Sequence, residues 1–300
     1  MEFRPTPVNW MVLGAMGAYV AAALALGAGA LVGMGRASRR RGRAPGKAAR
    51  ALRVVGWALF AAGFAVSLAA WLVRWHEVQH APLQNLYEVC LTMGALMLPI
   101  SLFCRRVLRV GAEWADAVLA AVVLFPVAMV FNPEPQHLPA ALQSPLFVPH
   151  VATYLAAYVV LGKAAVQAFG CLVRRPVATG DSTGRAERGG ELLGAGASAD
   201  LSRATYTMVC FGFPLLTLGL VLGAWWGKLA WDDYWNWDPK ELWSFVSWLV
   251  FLAYLHFRAV RGPRSPVLGS VLVLAGTACI LITLLWANLS RLFAGLHSYA

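Results

Sequence analysis

The sequence predicts an all-α polytopic membrane protein with about eight transmembrane helices and both termini on the extracytoplasmic side. Of its 300 residues, 59% are hydrophobic and only 13% are charged, a composition that excludes a soluble globular domain. Apolar stretches of about 20 residues, long enough to cross a hydrocarbon core of ~30 Å, recur along the chain. They lie at about 9–33, 54–73, 86–104, 113–131, 150–173, 205–224, 242–258 and 266–287.

The basic residues predict the orientation of these spans. An even number of spans places both termini on one side. Most of the 25 Lys and Arg residues lie in the connections after the first, third, fifth and seventh spans. Because cytoplasmic loops carry an excess of Lys and Arg, these connections are predicted to face the cytoplasm across the plasma (inner) membrane. The net charge of +11 is then a topology signal and does not indicate nucleic-acid binding.

Composition divides the chain into four parts. Residues 1–53 form a first span and a basic linker, and residues 54–173 form spans two to five. Residues 174–204 are rich in Gly, Ala, Ser and charge, so a disordered cytoplasmic loop is predicted there. Residues 205–300 hold three spans and a Trp-rich extracytoplasmic segment, 225–243. The five cysteines show no CxxC spacing, which argues against a dithiol relay or a sulfur-ligated metal.

The Trp-rich segment is the most informative feature of the chain. Seven of the 13 tryptophans lie between Trp225 and Trp248. Indole is large, flat and apolar with one N–H donor, so a cluster of indoles suits a large, flat, amphiphilic ligand. The alternative is an aromatic belt at the membrane interface, where Trp is also enriched. The predicted ligand platform comprises Trp225, Trp226, Trp231, Trp235, Trp237, Asp238 and Trp243.

A helix start is predicted at the end of this segment. Asp238 suits the N-cap, Pro239 the first helical position, and Glu241 the third position of a capping box. Asp238 therefore has two interpretations, as a helix cap and as part of the platform. Trp231 and Trp235 are four residues apart and would share a face if their segment is helical.

Three histidines are placed as candidate ligands. His150 opens the fifth span and His297 follows the eighth, both at the outer surface. His256 lies about 15 residues into its span, ~22 Å from the outer end. An ionisable group at that depth suggests function. Imidazole is a common axial ligand of haem iron, so two outer histidines beside a floor of indoles would form a coherent haem site. The remaining histidines, in outward loops, are His76, His80 and His137.

Several motifs together resemble a known family. They are WGKLAWDDYWNWDPKELW, WLVFLAYLHFR around His256, GLHSYA around His297, SPLFVPHVATYLAAY around His150, and HAPLQNLYE from His80 to Glu88. They resemble the WWD signature of haem-handling membrane proteins, and most closely the CcsA/ResC type of the System II cytochrome c synthase. The resemblance runs from about residue 70 to the C-terminus, interrupted at 174–204.

The resemblance implies a function. Haem b from the cytoplasm would be held in the membrane by His256 and by a ligand from a ResB/Ccs-type partner. It would then pass to His150 and His297 on the outer side. Apocytochrome c, kept reduced by an extracytoplasmic thioredoxin-like protein, would receive it at CxxCH. The chain would then be the haem-handling subunit of a holocytochrome c synthase, of the haem lyase type.

Some residues and alternatives stay open. His80 matches a family motif, but its role as a ligand is less secure. Lys163 could face a polar interior or snorkel towards the surface. Alternative functions are haem export to a chaperone, as in the CcmC type, a HemX-like role, or transport of another amphiphile. Candidate cations for the haem propionates are Arg74, Lys228 and Arg291.

Overall fold

A computed structural model of the chain describes residues 6–39, 46–135, 143–174 and 185–286, with only the backbone described for 34–39, 185–197 and 264. Its regular elements over these ranges are all helical, and eight of them are α-helices. Among the described residues, seven helices are long and apolar enough to cross a membrane. The predicted all-α, polytopic fold class is confirmed.

The helices are α1 (Pro7–Arg39), α2 (Lys47–Val78), α3 (Leu86–Arg106), α4 (Glu113–Met129), α5 (Phe147–Val173), α6 (Arg185–Trp231), α7 (Pro239–Arg261) and α8 (Pro266–Leu281). Each predicted span lies mostly within one helix, and α2 and α6 extend well beyond their spans. A short 3-10 turn joins α7 to α8, and a π-helical turn follows α8. Helix α4 has 17 residues. Of the described α-helices only α8 is shorter, when the π-helical turn that follows it is left out. The 17 residues of α4 rise about 26 Å, slightly less than the hydrocarbon thickness.

The chain divides into two compact units, Met1–Leu138 and Pro139–Ala300, called unit 1 and unit 2. In unit 1, α1 packs against α2 and α4, and α3 packs against both α2 and α4. Small residues allow the close approach of α1 and α2. A Cβ added at Gly63 would lie 2.8 Å from Cδ1 of Tyr19, and one added at Gly56 would lie 2.6 Å from Cγ of Leu26.

In unit 2, α5 packs along α6 and also contacts α8, while α7 packs against α8 and contacts α6. Helix α6 begins at Arg185, well before the predicted span. Its later residues pack closely, since Cys171 Sγ lies 3.2 Å from Ser198 Oγ and both residues are buried. Helical backbone thus begins at Arg185, within the segment 174–204 for which a disordered loop is predicted, and residues 175–184 lie outside the described residues.

The Trp-rich segment is mostly the ends of two helices. Helix α6 continues to Trp231 and α7 begins at Pro239, so only seven residues connect them. Trp231 and Trp235 do not share a helical face, because Asp232 turns the chain with a φ of 63°. The predicted helix start is confirmed: the Asp238 carboxylate accepts from Lys240 N at 2.9 Å, and Glu241 completes the capping box.

Candidate functional site

His150 lies in the first turn of α5, and helix α6 determines the orientation of its ring. Its Nδ1 lies 2.9 Å from the carbonyl oxygen of Gly219. A carbonyl oxygen can only accept, so Nδ1 carries the hydrogen and donates it. In the neutral imidazole the lone pair is then on Nε2. Metal-binding histidines typically make this hydrogen bond through the nitrogen that does not bind the metal.

Aromatic rings surround the His150 imidazole. Trp226 lies with its centroid 5.6 Å away, tilted by 32°, and Tyr154 meets the imidazole edge-on at 5.0 Å. Trp226 also contacts Phe147 at 5.6 Å and is only 2% exposed. This indole of the predicted platform is therefore a wall of the His150 site and belongs to the core of unit 2.

The remaining indoles of the platform form no single plane. Trp231 packs on Trp226 at 5.5 Å and continues the group around His150. Trp235 belongs to a second group, 5.9 Å from Trp237 and in edge contact with Phe245. Trp225 and Trp237 are 53% and 68% exposed, and Trp243 is half-buried.

The second group continues along α7 as a series of stacked rings. Phe245 stacks on Trp248 with an interplanar angle of 9°, and Trp248 stacks on Phe213 of α6 at 5.4 Å. The Trp248 indole is fixed in place because its Nε1 donates to Thr217 Oγ1 at 2.9 Å. Rings therefore extend without a break from the exposed Trp237 into the region between α6 and α7.

Two features of the connection between α6 and α7 suggest a ligand surface. Trp237 has a φ of 57°, a left-handed conformation that is costly for a bulky residue and is found preferentially at functional sites. Nε1 of Trp235 is buried and has no hydrogen-bond partner within the described part of the chain. A buried donor without an acceptor is costly, so an incoming acceptor would be favoured there.

An ion pair joins the start of this connection to the last turn of α6. Lys228 Nζ donates to the Asp232 carboxylate and to its backbone oxygen, at 2.7 and 2.6 Å. The hydrogen bond from Lys228 lowers the pKa of Asp232. Lys228 would therefore have to exchange this partner in order to bind a propionate.

His256 lies on α7 at a different level from His150. It is 17 residues beyond Pro239, a rise of about 26 Å. Arg258, two residues further along, lies over the ring of Tyr206, which precedes Gly219 by 13 residues, about 20 Å along α6. The His256 side chain is exposed on the same helix as exposed Leu249, Leu252 and Val260.

The other candidate residues lie elsewhere or outside the described residues. His80 is half-buried in the turn between α2 and α3, with Nδ1 3.0 Å from Ala81 O. Arg74 is buried and its Nη2 lies 2.9 Å from the Glu88 carboxylate, so this arginine stabilises the connection between α2 and α3. Lys163 is buried in α5, not at a helix end. His137, His297 and Arg291 lie outside the described residues.

Sequence reasoning did not identify the glycines of α6 that contact the site. Gly219 supplies the acceptor for His150, and Gly223 lies against its ring. A signal was present, because glycines recur every fourth residue at 219, 223 and 227, which places them on one helical face.

Unit 2 thus defines a class of protein: a polytopic membrane protein with an imidazole site walled by aromatic rings. Residues 64–297 match the family described as cytochrome C assembly protein. The cytochrome c biogenesis protein CcsA of Crocosphaera subtropica is 30% identical over 75% of this chain and 82% of its own length. That of Prochlorococcus marinus is 32% identical over 76% and 79%. The chain belongs to the cytochrome c assembly protein family, which confirms the resemblance.

A shorter match reaches higher identity. The cytochrome c biogenesis protein CcsA of Rippkaea orientalis is 44% identical over 101 residues, which cover 33% of this chain and 28% of that protein.

Proposed function

We propose that this protein carries haem b across the plasma (inner) membrane and presents it to apocytochrome c for covalent attachment. The observation that best supports the proposal is the His150 imidazole, whose Nδ1 is held by Gly219 O and whose Nε2 has the lone pair that iron requires. Family membership supports the part in cytochrome c maturation, because the relatives are named for cytochrome c biogenesis.

The indoles of the Trp-rich segment fit a porphyrin. Exposed indoles at Trp225 and Trp237 offer flat apolar surfaces, and neither can compete for the iron. The buried N–H of Trp235 is a donor that a propionate oxygen would satisfy. His297 remains the proposed second axial ligand at this outer site.

A second site is proposed deeper in the membrane at His256. Its side chain is exposed, so a ligand from a ResB/Ccs-type partner subunit could approach the opposite face of the same iron. The neighbouring exposed Leu252 and Val260 give the partner helix an apolar surface. Haem would then move from His256 to His150, towards the outer end of α7.

The proposed chemistry needs positioning more than it needs a reactive group from this chain. Each CxxCH thiol adds across one vinyl group of haem. The S–H bond and the vinyl π bond break, and an S–C bond and a C–H bond form. No electrons are gained or lost overall, so the thioredoxin-like protein is needed only to keep the cysteines reduced. Holding the vinyl carbons beside the thiols supplies most of the acceleration.

The proposed topology places this step in the right compartment. The basic connections face the cytoplasm, and the Trp-rich segment and both termini face outward. His150 and the indoles then meet apocytochrome c on the extracytoplasmic side, where its cysteines arrive.

The proposal is tested by purifying the protein together with its ResB/Ccs-type partner from haem-replete cells. We expect the complex to carry low-spin haem with a strong Soret band. We also expect cytochrome c to mature only when the complex is present. A featureless Soret region would overturn the haem assignment and favour a transporter of another amphiphile. Bound haem without cytochrome maturation would instead indicate export to a chaperone, as in the CcmC type, or a HemX-like role.

A further inference from the structure

The glycines of α6 that face α5 do more than allow two helices to pack. Gly212 and Gly219 face Leu161 and Tyr154, where an added Cβ would lie at 2.8 and 3.0 Å from the side chain. Gly223 faces the His150 imidazole itself. A Cβ there would lie 2.5 Å from Cε1 and 2.9 Å from Nδ1, distances that real Cβ atoms do not adopt.

Two successive turns of α6 hold His150 from several directions. The carbonyl oxygen of Gly219 accepts from Nδ1, the backbone at Gly223 lies against one edge of the ring, and Trp226 covers a face. Tyr154, one turn along α5, meets the imidazole edge-on. A residue larger than Gly at 223 could be accommodated only if the imidazole moved, which would break the hydrogen bond to Gly219.

We propose that Gly223 is a positioning residue: its missing side chain lets His150 donate Nδ1–H to Gly219 O and so directs Nε2 towards the iron. The consequence for haem rests on the function proposed above, whereas the orientation of the ring does not. A hydrogen bond from the second nitrogen fixes the tautomer and makes the ligating nitrogen more basic. Gly223 therefore acts on the iron only through His150.

Two other glycines of unit 2 provide matched controls for Gly223→Ala. Gly162, in α5, has no atom within 4 Å of an added Cβ, so Gly162→Ala makes the same chemical change in open space. Gly212→Ala places a methyl group 2.8 Å from Leu161 Cδ2 and disturbs helix packing without contacting a histidine. Gly162→Ala thus controls for the Gly-to-Ala change itself, and Gly212→Ala controls for disturbed helix packing. An effect seen only in Gly223→Ala then acts through His150.

The first measurement needs no haem. The protein is labelled with ¹⁵N-histidine, kept in detergent without haem at about pH 9, where imidazole is neutral, and examined by NMR. His150→Gly identifies the His150 signals. We expect protonated Nδ1 and unprotonated Nε2 in the wild type and in both controls, and a changed or averaged tautomer in Gly223→Ala. A wild-type ring protonated at Nε2, or a Gly223→Ala spectrum equal to the wild type, would overturn the proposal.

The second measurement is the haem content of the complex purified with the partner subunit. Loss of the hydrogen bond that orients a metal-binding histidine typically weakens metal binding by about 10- to 100-fold, so Gly223→Ala should lower haem affinity on the order of tenfold or more. Both controls should stay within about twofold of the wild type. Equal haem affinity in Gly223→Ala would show that the ring position does not matter to iron. A haem-free wild type would refute the proposed function, while the NMR result would still decide the orientation of His150.

Discussion

The side chains around His150 show which parts of a site can be inferred from sequence. His150 could be selected because it opens an apolar span on the same predicted outer side as the Trp-rich segment. Its hydrogen bond to Gly219 joins residues 69 positions apart, and only the packing of α5 on α6 brings them together. The burial of Trp226 at 2% was not predictable either, since neighbouring Trp225 is 53% exposed. Composition identifies the indoles, whereas the fold decides which of them can contact a ligand.

Trp235 offers a test of the proposed contact between an indole N–H and a haem propionate. Trp235→Phe keeps a ring against Trp237 and Phe245 but removes the buried donor. Because hydrogen bonds to charged groups contribute about 1.5–3 kcal/mol, haem affinity should fall on the order of tenfold or more. The measurement is haem titration of the purified complex.

Trp57, on α2, is the matched control for this substitution. Its Nε1 is also buried without a partner among the described residues, but it lies in unit 1. Trp57→Phe should leave haem affinity unchanged. If both variants bind haem as the wild type does, the Trp235 N–H has no part in binding the ligand.

The helices differ in how far local sequence determines them. The start of α7 was predictable because the N-cap, the first-turn proline and the capping-box residue lie within four residues, at Asp238, Pro239 and Glu241. The length of α6 was not, because residues 185–204 are rich in Gly and Ala and show no strong apolar run. Its later part is stabilised by tertiary contacts such as that between Cys171 and Ser198, which a local pattern does not show.

Substitutions at Asp238 distinguish its capping role from a direct role in the ligand platform. Asp238→Ala removes the side chain that accepts from Lys240 N and should lower the free energy of unfolding by about 1 kcal/mol. Asp238→Asn can still accept that hydrogen bond and should keep stability and cytochrome c maturation near the wild type. Thermal unfolding and a maturation assay are the measurements. Normal stability with lost maturation in Asp238→Asn would show that the negative charge itself is required.

For the molecule as a whole, the sequence predicted the fold class well: an all-α protein with many membrane spans. Hydropathy located the apolar part of each span, because a membrane span must be apolar over most of its length. The division into two units was not predicted, although its boundary falls within the proline-rich connection 132–149. The two proposed depths for haem rest on the length of α7, with the Trp-rich segment at its start and His256 about 26 Å beyond.

The central claim is that iron is bound by His150 in unit 2, and cytochrome c maturation in His150→Gly cells tests it most directly. His76→Gly is the control, because His76 is an exposed residue of α2 with no assigned role. We expect His150→Gly to lose maturation, added imidazole to restore part of it by occupying the vacated space, and His76→Gly to behave as the wild type. Normal maturation in His150→Gly without imidazole would contradict the account.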